Sequence, residues 1–475
     1  MTARAIGLLL GPAVFTLAAL TAPPAGMSLE GWLVAGLVVW MAAWWMTEAV
    51  PLAATALLPF LVLPLSGVMD ARDTASAYYA PILFLLLGGA FIALAIERTG
   101  LHRRLSLAIL RAIGTDGGQV RLLLAFMVSA AVLSMLISNT STTLIMMPMA
   151  LAVLAGGETG RQAGAISPEG LSGALPMGIA FAASIGGLGT LVGSPTNGIG
   201  VQLLNDMIGL EIGFATWTLY GLPIVIIGVP LAALIIAWVQ KVAAHPFDVS
   251  AARSAIDDHS AWSSAEKRLV PIIALAFLAW MTRLWVAPYL PAGSWTDGTI
   301  AVLAALALFV LPDGSGRRLL EWHEADRAPW GVILMFGGGL ALAAGMQASG
   351  LAEWLGQALL PLDKLPLIVM SLAIVAMVVL VTEFASNVAT SSAIIPVVAS
   401  LAAALGLGED ALLIALPAAM AASWGFILPA GTGPNAIAWS TGRLTIPRLM
   451  RAGLVLDLCG IFLMVGMIWG IAALV

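Results

Sequence analysis

Charged residues are scarce in this chain of 475 residues. Only 9% of the residues are Asp, Glu, Lys or Arg, whereas 61% are hydrophobic and the mean hydropathy is +1.02. This composition leaves too little polar surface to cover a set of soluble domains. It predicts an all-α polytopic protein whose surroundings are the lipid bilayer, and nothing in it indicates a nucleic-acid partner.

Cysteine and histidine are also rare. The single cysteine, Cys459, excludes a disulfide framework and a cysteine metal cluster. The four histidines all fall in predicted loops, at His102, His245, His259 and His323. An intramembrane enzyme would need a nucleophile with a base, or a metal cluster, at membrane depth. The chain is therefore predicted not to be an enzyme.

The chain does contain a repeated polar break in an apolar segment. Residues 132–150 read VLSMLISNTSTTLIMMPMA, and residues 380–398 read LVTEFASNVATSSAIIPVV. A second pair of breaks follows, GSPTN at 193–197 and GTGPN at 431–435. Because bare backbone and unpaired amides are costly in hydrocarbon, such breaks must line something wet or bind something. We predict that the four breaks form one binding site near the membrane midplane.

The apolar segments between these breaks are long enough to span a membrane, which takes about 20 residues each. Eleven crossings are predicted, at 5–22, 29–47, 50–68, 80–97, 174–205, 216–240, 269–289, 298–312, 329–348, 412–440 and 453–473. The stretches 122–155 and 366–405 are too long for one helix and are broken in the middle. Each is predicted to be a re-entrant hairpin that enters and leaves on the same side.

The two halves of the chain resemble each other. GGAFIALAIERTGL at 88–101 aligns without gaps with GGLALAAGMQASGL at 338–351. Each half has an odd number of crossings, so the halves are predicted to be inverted repeats, an arrangement typical of transporters. The predicted domains are an N-terminal transmembrane helix at 1–28, a first repeat at 29–240, a cytoplasmic connector at 241–268 and a second repeat at 269–475. Scaffold helices occupy 29–121 and 269–365, and a hairpin with an unwound crossing occupies 122–240 and 366–475.

The basic residues predict the orientation of the chain. With a cytoplasmic N-terminus, all but three of the 20 Lys and Arg residues lie on the inner side, including Arg161 and Arg253. The three exceptions are Arg72, Arg283 and Lys364. We therefore predict a multi-pass protein of the inner (plasma) membrane with an extracytoplasmic C-terminus.

The chemistry of the breaks predicts what they bind. Each break ends a half-helix, and helix N-termini attract anions, whereas bent carbonyls with Ser and Asn oxygens suit Na⁺. No Lys, Arg or His lies in 132–150, 174–205, 380–398 or 412–440. An anion would therefore be held by dipoles, hydroxyls, amides and bound cations, which predicts cation-coupled anion transport.

These motifs resemble those of the divalent anion/sodium symporters, a family that carries dicarboxylates, citrate or sulfate. The resemblance rests on ISNTSTT at 137–143, EFASNVATSS at 383–392, SIGGLGTLVGSPTN at 184–197 and ASWGFILPAGTGPN at 422–435. It implies a homodimer with two or more sodium sites in each subunit. It also implies an elevator motion, in which the hairpins and unwound crossings move against a fixed scaffold.

The resemblance also implies ligands, carried over by position. One sodium would be held by Ser134, Ser138, Asn139 and Gly193, and the other by Thr382, Ala385, Asn387 and Gly431. The substrate carboxylates would contact Asn139, Thr140, Ser194, Ser386, Asn387 and Thr432. The chain departs from the family pattern at Val388, where Thr is usual, and at Gly433, where Pro is frequent.

The favoured function is sodium-coupled symport of a small di- or tricarboxylate. The alternatives within transport are a sodium-independent dicarboxylate exchanger and a sulfate transporter. The alternatives of another class are a non-transporting membrane sensor and an intramembrane enzyme. Among acidic residues near membrane depth, Glu48 and Glu383 are interpreted as helix caps or backbone partners, and Asp457 as interfacial.

Overall fold

The computed structural model describes residues 3–114, 118–157, 169–245, 247–248 and 261–474. Arg161, Arg253 and His259 lie outside the described residues, as do residues 246 and 249–260 of the predicted connector. The described part is helical, apart from an isolated bridge between Pro312 and Arg318. Its α-helices are Ala3–Leu20, Leu29–Thr47, Leu52–Thr55, Leu58–Leu65, Ala71–Ala77, Ile82–Thr99, Leu101–Ile113, Gln119–Ser134, Asn139–Gly157, Leu171–Gly187, Pro195–Ile208, Phe214–Val239, Ser264–Met281, Arg283–Val286, Asp297–Val310, Trp322–Ala325, Trp330–Ala348, Leu351–Leu359, Leu367–Thr382, Asn387–Ala404, Leu412–Ala421, Gly433–Ser440 and Ile446–Ala472.

Eight of the described helices are long and apolar enough to cross a membrane. A ninth is added if Ser264–Met281 and Arg283–Tyr289, which are bent by 69°, form one span. The prediction of a multi-pass, all-helical membrane protein is confirmed. Two of the eight, Asn139–Gly157 and Asn387–Ala404, are hairpin arms, so six of the eleven predicted crossings are long single helices. The other five are broken, bent or shorter than predicted. The crossing predicted at 50–68, for example, consists of the short helices Leu52–Thr55 and Leu58–Leu65.

The internal repeat is visible in the helix boundaries. Gln119–Ser134 and Leu367–Thr382, the first arms of the two hairpins, match in length and are displaced by 248 positions at both ends. Gly100 and Gly350, which are aligned in the sequence, both adopt a left-handed conformation at the end of a helix, with φ of +78° and +75°. The first hairpin arms and these two helix ends therefore match in backbone geometry as well as in sequence.

Two short helices, Leu101–Ile113 and Leu351–Leu359, were not predicted, because both stretches were interpreted as loops. Each begins directly after its left-handed glycine. The first contains Arg103, Arg104 and Arg111, so it is amphipathic and not apolar throughout. The prediction considered only segments that are apolar throughout and therefore missed this helix.

Loops that were predicted to share one side of the membrane contact each other. Arg98 Nη2 lies 2.6 Å from Asp313 Oδ2, and Arg104 Nε lies 2.7 Å from Glu266 Oε1. Arg98 also donates from Nη1 to the carbonyl oxygen of Leu319 at 2.6 Å. The end of helix Ile82–Thr99 is thus tied to the connector after helix Asp297–Val310.

Replacing Arg98 with alanine is expected to lower the free energy of unfolding by about 1 to 3 kcal/mol, between the values for exposed and buried ion pairs. Burial would raise the pKa of Asp313, but hydrogen bonds from Ser315 and Arg98 hold that pKa below its usual range. The stabilising effect is therefore complete above the unfolded pKa of about 3.9 and is lost as the pH falls through the lowered value.

The measurement is the melting temperature of the purified protein at pH 7. The control is Arg72→Ala, which removes an exposed arginine. Equal melting temperatures for Arg98→Ala and the wild type would contradict a stabilising role for this ion pair.

Candidate functional site

Both hairpins break at a Ser-Asn pair, because a serine caps the second arm. The amide N–H of Ser141 donates to Ser138 Oγ at 3.1 Å, and that of Ala389 donates to Ser386 Oγ at 3.2 Å. The second arms then run as Asn139–Gly157 and Asn387–Ala404. The N-terminus of each second arm therefore lies at the tip of its hairpin.

The two broken crossings also restart after a hydroxyl residue, although only Thr432 caps its helix with its side chain. Helix Pro195–Ile208 begins after Ser194, and helix Gly433–Ser440 begins after Thr432, whose Oγ1 accepts from the N–H of Asn435 at 3.2 Å. A proline at the start of each helix fits a position where no N–H is needed. Two further helix N-termini are formed in this way.

Asn197 and Asn435 stabilise these breaks. Asn197 Nδ2 donates to the carbonyl oxygens of Gly187 at 2.7 Å and Thr190 at 2.8 Å. At the matching position, Asn435 Nδ2 donates to the carbonyl oxygen of Leu428 at 3.1 Å. Both side chains are fully buried and bind the carbonyl groups that the interrupted helices leave free.

All four helix N-termini meet at one cavity of about 490 Å³. Its walls include the hairpin tips Ser138–Ser141 and Ser386–Val388, and the breaks Gly193–Thr196 and Gly431–Pro434. Each helix N-terminus carries a partial positive charge and unpaired N–H groups. The cavity is therefore suited to an anion although the four breaks contain no basic residue.

The structure brings most of the predicted site residues together. The predicted residues in the cavity wall are Ser138, Asn139, Thr140, Gly193, Ser194, Ser386, Asn387, Gly431 and Thr432. The remaining three, Ser134, Thr382 and Ala385, are buried and do not line this cavity. Ser134 and Thr382 instead contact the asparagines of their own hairpins.

The amide oxygen of Asn139 faces other oxygens. Its Oδ1 lies 2.7 Å from Ser134 Oγ, and the same amide position lies 3.2 Å from the carbonyl oxygen of Gly193 and 3.1 Å from that of Ala183. With the amide rotated, its nitrogen would donate to the same three oxygens. The rotated orientation is the one that satisfies the hydrogen bonds of this amide, and in it the oxygens of Ser134, Gly193 and Ala183 converge on one point. Three converging oxygens are the donor chemistry that a hard cation such as Na⁺ prefers.

The second hairpin has an equivalent group. Thr382 Oγ1 lies 2.9 Å from Asn387 Oδ1 and 2.8 Å from the carbonyl oxygen of Ala422. The single hydroxyl proton of Thr382 can serve only one of these oxygens, so lone pairs remain for a cation. Gly431 lies close to the end of the same hairpin arm, since a Cβ added at Gly431 would be 3.5 Å from the carbonyl oxygen of Glu383, the residue after Thr382.

The cavity wall also contains two charged residues that sequence reasoning missed, Glu97 and Arg327. Both are exposed, and neither was predicted to be a site residue: Glu97 is the last residue of the crossing predicted at 80–97, and Arg327 was assigned to the inner side. As predicted, the four breaks contain no basic residue. The cavity wall as a whole does contain one, Arg327. The only sequence signal was that Glu97 lies in the aligned segment of the first repeat, where the second repeat has Gln347.

A separate cavity of about 660 Å³ contains the symmetry-related residue Gln347, together with Asp206, Glu353 and Gln357. None of its lining residues belongs to a hairpin tip or to a break. The binding breaks are therefore open to the cavity that contains Glu97 and not to the one that contains Gln347.

Two acidic residues lie beside the second break. Glu383 accepts from the backbone N–H groups of Ile427 and Leu428, both at 3.0 Å. Its interpretation as a partner of the backbone is confirmed. The interpretation of Asp457 as interfacial is wrong, because its residue is only 3% exposed within the helix bundle. Its position four residues after a packed glycine, Gly453, places it on the face that contacts Phe426.

Comparison with known proteins agrees with this architecture. The family model described as "Sodium:sulfate symporter transmembrane region" matches residues 2–475. The sodium-dependent dicarboxylate transporter SdcS of Staphylococcus saprophyticus is 37% identical, with 97% of this chain and 90% of that protein covered. SdcS of Staphylococcus aureus strain MRSA252 is 36% identical, with 100% and 92% covered.

Among solved structures, the Alcanivorax borkumensis YdaH transporter matches with a TM-score of 0.55 at 14% identity, covering 98% of both chains. At this identity the match supports the fold alone. The family match extends over nearly the whole sequence and so includes both hairpins and both broken crossings. The chain therefore belongs to the sodium:sulfate symporter family, a family of membrane transporters and not of enzymes.

Proposed function

We propose that this protein is a secondary active transporter that carries a small di- or tricarboxylate together with sodium. The observation that carries the proposal is the meeting of four helix N-termini at one cavity, beside two groups of oxygen ligands. The N-termini attract the carboxylates, and bound sodium supplies the positive charge that the breaks lack. The names of the SdcS relatives support both the ion and the class of substrate.

Each sodium would bind between a hairpin tip and the facing break. The proposed ligands are Ser134, Ser138, Asn139 and Gly193 for the first ion, and Thr382, Ala385, Asn387 and Gly431 for the second. The substrate would contact Asn139, Thr140, Ser194, Ser386, Asn387 and Thr432. Asn139 and Asn387 belong to both sets, so binding of the ion and of the anion would be coupled at these residues.

The repeats provide a route for alternating access. The hairpins with their broken crossings, in 122–240 and 366–475, would move as a body against the scaffold helices of 29–121 and 269–365. In the predicted orientation, the cavity that contains Glu97 and Arg327 opens to the cytoplasm. Exchange of the two repeats' conformations would close it and connect the site to the cavity that contains Gln347. The protein would act as a homodimer in the inner membrane.

Uptake of radiolabelled succinate into proteoliposomes tests the proposal. An inward sodium gradient should drive accumulation, and an equal choline gradient should not. Uptake that requires internal succinate but ignores sodium would contradict the proposal and identify an exchanger.

Sulfate is the second candidate substrate, because the family description names it. Excess unlabelled sulfate in the same experiment separates the two candidates. We expect weak competition, since a cavity of about 490 Å³ leaves room for an anion larger than sulfate. Uptake of labelled sulfate in preference to succinate would favour the alternative.

Val388 lines the cavity at the position where the family usually has threonine. Val388→Thr adds a hydroxyl there and is expected to change the ratio of succinate to citrate uptake by about 2- to 13-fold, because one hydrogen bond contributes about 0.5 to 1.5 kcal/mol. The sodium concentration for half-maximal uptake should change by less than about twofold. An unchanged substrate ratio would show that this position does not contact the substrate.

A further inference from the structure

The cavity that contains Glu97 extends beyond the four breaks. On helix Ile82–Thr99, its wall includes Gly89, Ala93 and Glu97, which are spaced by four residues and so share one face. Gly89 is at the depth of the first break, because a Cβ added there would lie 2.9 Å from Val192. Glu97 is eight residues further along the helix, about 12 Å away at about 1.5 Å per residue. Glu97 therefore lies at the mouth of this cavity, away from the binding breaks.

Arg327 lies at the same mouth. Arg98, the neighbour of Glu97, contacts Glu324, with 3.2 Å between Nε and Oε1. Arg327 follows three residues after Glu324, and its Nε lies 3.5 Å from the carbonyl oxygen of Glu324. The mouth of the cavity thus carries one acidic and one basic side chain, and both are exposed.

The positive charge of Arg327 is not compensated within the fold. Two nearby arginines pair with carboxylates, Arg98 with Asp313 at 2.6 Å and Arg317 with Glu321 at 3.2 Å. Arg327 forms no ion pair with any residue that the structure describes, and neither does the acidic residue at the mouth. Among the described residues in the wall of this cavity, Arg327 is the only basic one. An anion that enters the cavity therefore meets one uncompensated positive side chain before it reaches the breaks.

This positive charge is specific to one of the two cavities. In the cavity that contains Gln347, that glutamine stands at the position aligned with Glu97, and the charged residues of the wall are Asp206 and Glu353. No described residue in that wall is basic. The two cavities therefore differ in chemistry, with a positive group at one mouth and only acidic groups in the other wall.

We propose that Arg327 is a capture site for the transported anion. Its guanidinium would pair with one carboxylate of the substrate at the cavity mouth, before the substrate reaches the four breaks and again after it leaves them. Glu97 would repel the same carboxylate and so keep this encounter short. The inference rests on the proposed function for the anion that is carried and for the side to which the cavity opens.

The capture site would serve one side of the membrane only. Glu97 and Arg327 belong to the scaffold segments 29–121 and 269–365, whereas the breaks belong to the segments that are proposed to move. When the breaks connect with the other cavity, Arg327 no longer lies on the path of the anion. Effects of these two residues should therefore appear in transport from the cytoplasmic face and not in transport from the outer face.

The test uses Arg327→Gln and Glu97→Gln in membrane vesicles of both orientations. The initial rate of succinate uptake is measured at saturating sodium and at succinate concentrations well below saturation, where the rate depends on capture of the anion. In inside-out vesicles, which expose the cytoplasmic face, Arg327→Gln should lower this rate about 3- to 10-fold, and Glu97→Gln should raise it about twofold or more. In right-side-out vesicles neither variant should change the rate by more than about 1.5-fold.

Ionic strength separates an electrostatic effect from a structural one. The Debye length falls from about 30 Å at about 0.01 M salt to about 3 Å at about 1 M. The differences from the wild type should be largest at low salt and should disappear as choline chloride is raised toward about 1 M. Arg327→Lys retains the charge and should keep at least about half of the wild-type rate.

Arg318→Gln is the matched control, because Arg318 is an exposed arginine of the same connector that does not line the cavity. It should leave the rate in both orientations at the wild-type value. Wild-type rates for Arg327→Gln in inside-out vesicles, or equal losses in both orientations, would overturn the proposal. So would equal losses for Arg327→Gln and Arg327→Lys, or changes in the same direction for Arg327→Gln and Glu97→Gln, because these results indicate a structural role.

The same measurements keep the two proposals distinguishable. If the wild type proves to be a sodium-independent exchanger or a sulfate transporter, the proposed function fails, yet opposite effects of the two variants on transport of that anion would support the capture site. An effect confined to right-side-out vesicles would support the capture site and overturn the predicted orientation. If the wild type carries succinate with sodium and both variants match it in both orientations, only the capture site fails.

Discussion

Replacing Asn139 with alanine is expected to reduce sodium-driven uptake by at least about 100-fold. The substitution removes an amide that lies 2.7 Å from Ser134 Oγ and lines the anion cavity. Loss of a buried partner costs about 1 to 3 kcal/mol, and Asn139 is proposed to serve both the first sodium and the substrate. A loss of about 1.4 kcal/mol of binding free energy for the sodium ion and of the same amount for the substrate would together give the 100-fold reduction. Asn387→Ala should have the same effect through the second hairpin.

The control for this prediction is Asn205→Ala. Asn205 also bonds to backbone, accepting from and donating to Ile212 at 3.0 Å, but it lines neither cavity. Asn205→Ala should lower the melting temperature without changing the sodium concentration for half-maximal uptake. Wild-type uptake by Asn139→Ala, at an equal amount of protein in the vesicles, would contradict the proposal that the first hairpin tip binds sodium and the substrate.

The second large effect is expected at Gly193, where alanine should abolish uptake, whereas alanine at Gly431 should leave uptake within about threefold of wild type. A Cβ at Gly193 would lie 2.6 Å from the carbonyl oxygen of Gly187 and 2.9 Å from that of Ser134. Ser134 belongs to the proposed first sodium site, and the carbonyl oxygen of Gly187 accepts from Asn197 Nδ2, so neither can move without disturbing the first break. The nearest atom to a Cβ at Gly431 is the carbonyl oxygen of Leu428 at 3.4 Å, an ordinary contact.

The two glycine variants control for each other, because both make the same chemical change at corresponding positions of the two repeats. Neither glycine has a positive φ, so the comparison measures space and not backbone strain. Uptake and its sodium dependence are measured for both. Equal loss in both variants, or greater loss for Gly431→Ala, would contradict the geometry of the breaks.

Much of the candidate site could be predicted from the sequence, because a polar break in an apolar helix has few explanations in a membrane protein. Nine of the predicted residues line one cavity, although the two hairpins are far apart in the chain. The internal repeat made this possible, since each motif occurs twice at nearly constant spacing. The particular carbonyl groups that Asn197 binds could not be predicted, because they depend on how the chain folds around the break.

The features that escaped prediction depend on tertiary contacts. Arg327 follows a charged connector, and only the folded chain places it in the cavity wall. Asp457 lies near the start of the crossing predicted at 453–473, where interfacial acids are common, and its burial depends on packing against the second broken crossing. Helix Leu101–Ile113 was missed because it is amphipathic and rich in arginine, while the search was for segments that are apolar throughout.

The most direct test of the account is the affinity of the purified protein for succinate with and without sodium. Radioligand binding in detergent isolates the binding step from transport. We expect the dissociation constant to rise at least about tenfold when sodium is replaced by choline, because the four helix N-termini would then face the dianion without the proposed cations. Equal affinity for succinate in both salts would contradict a site in which sodium supplies the missing charge.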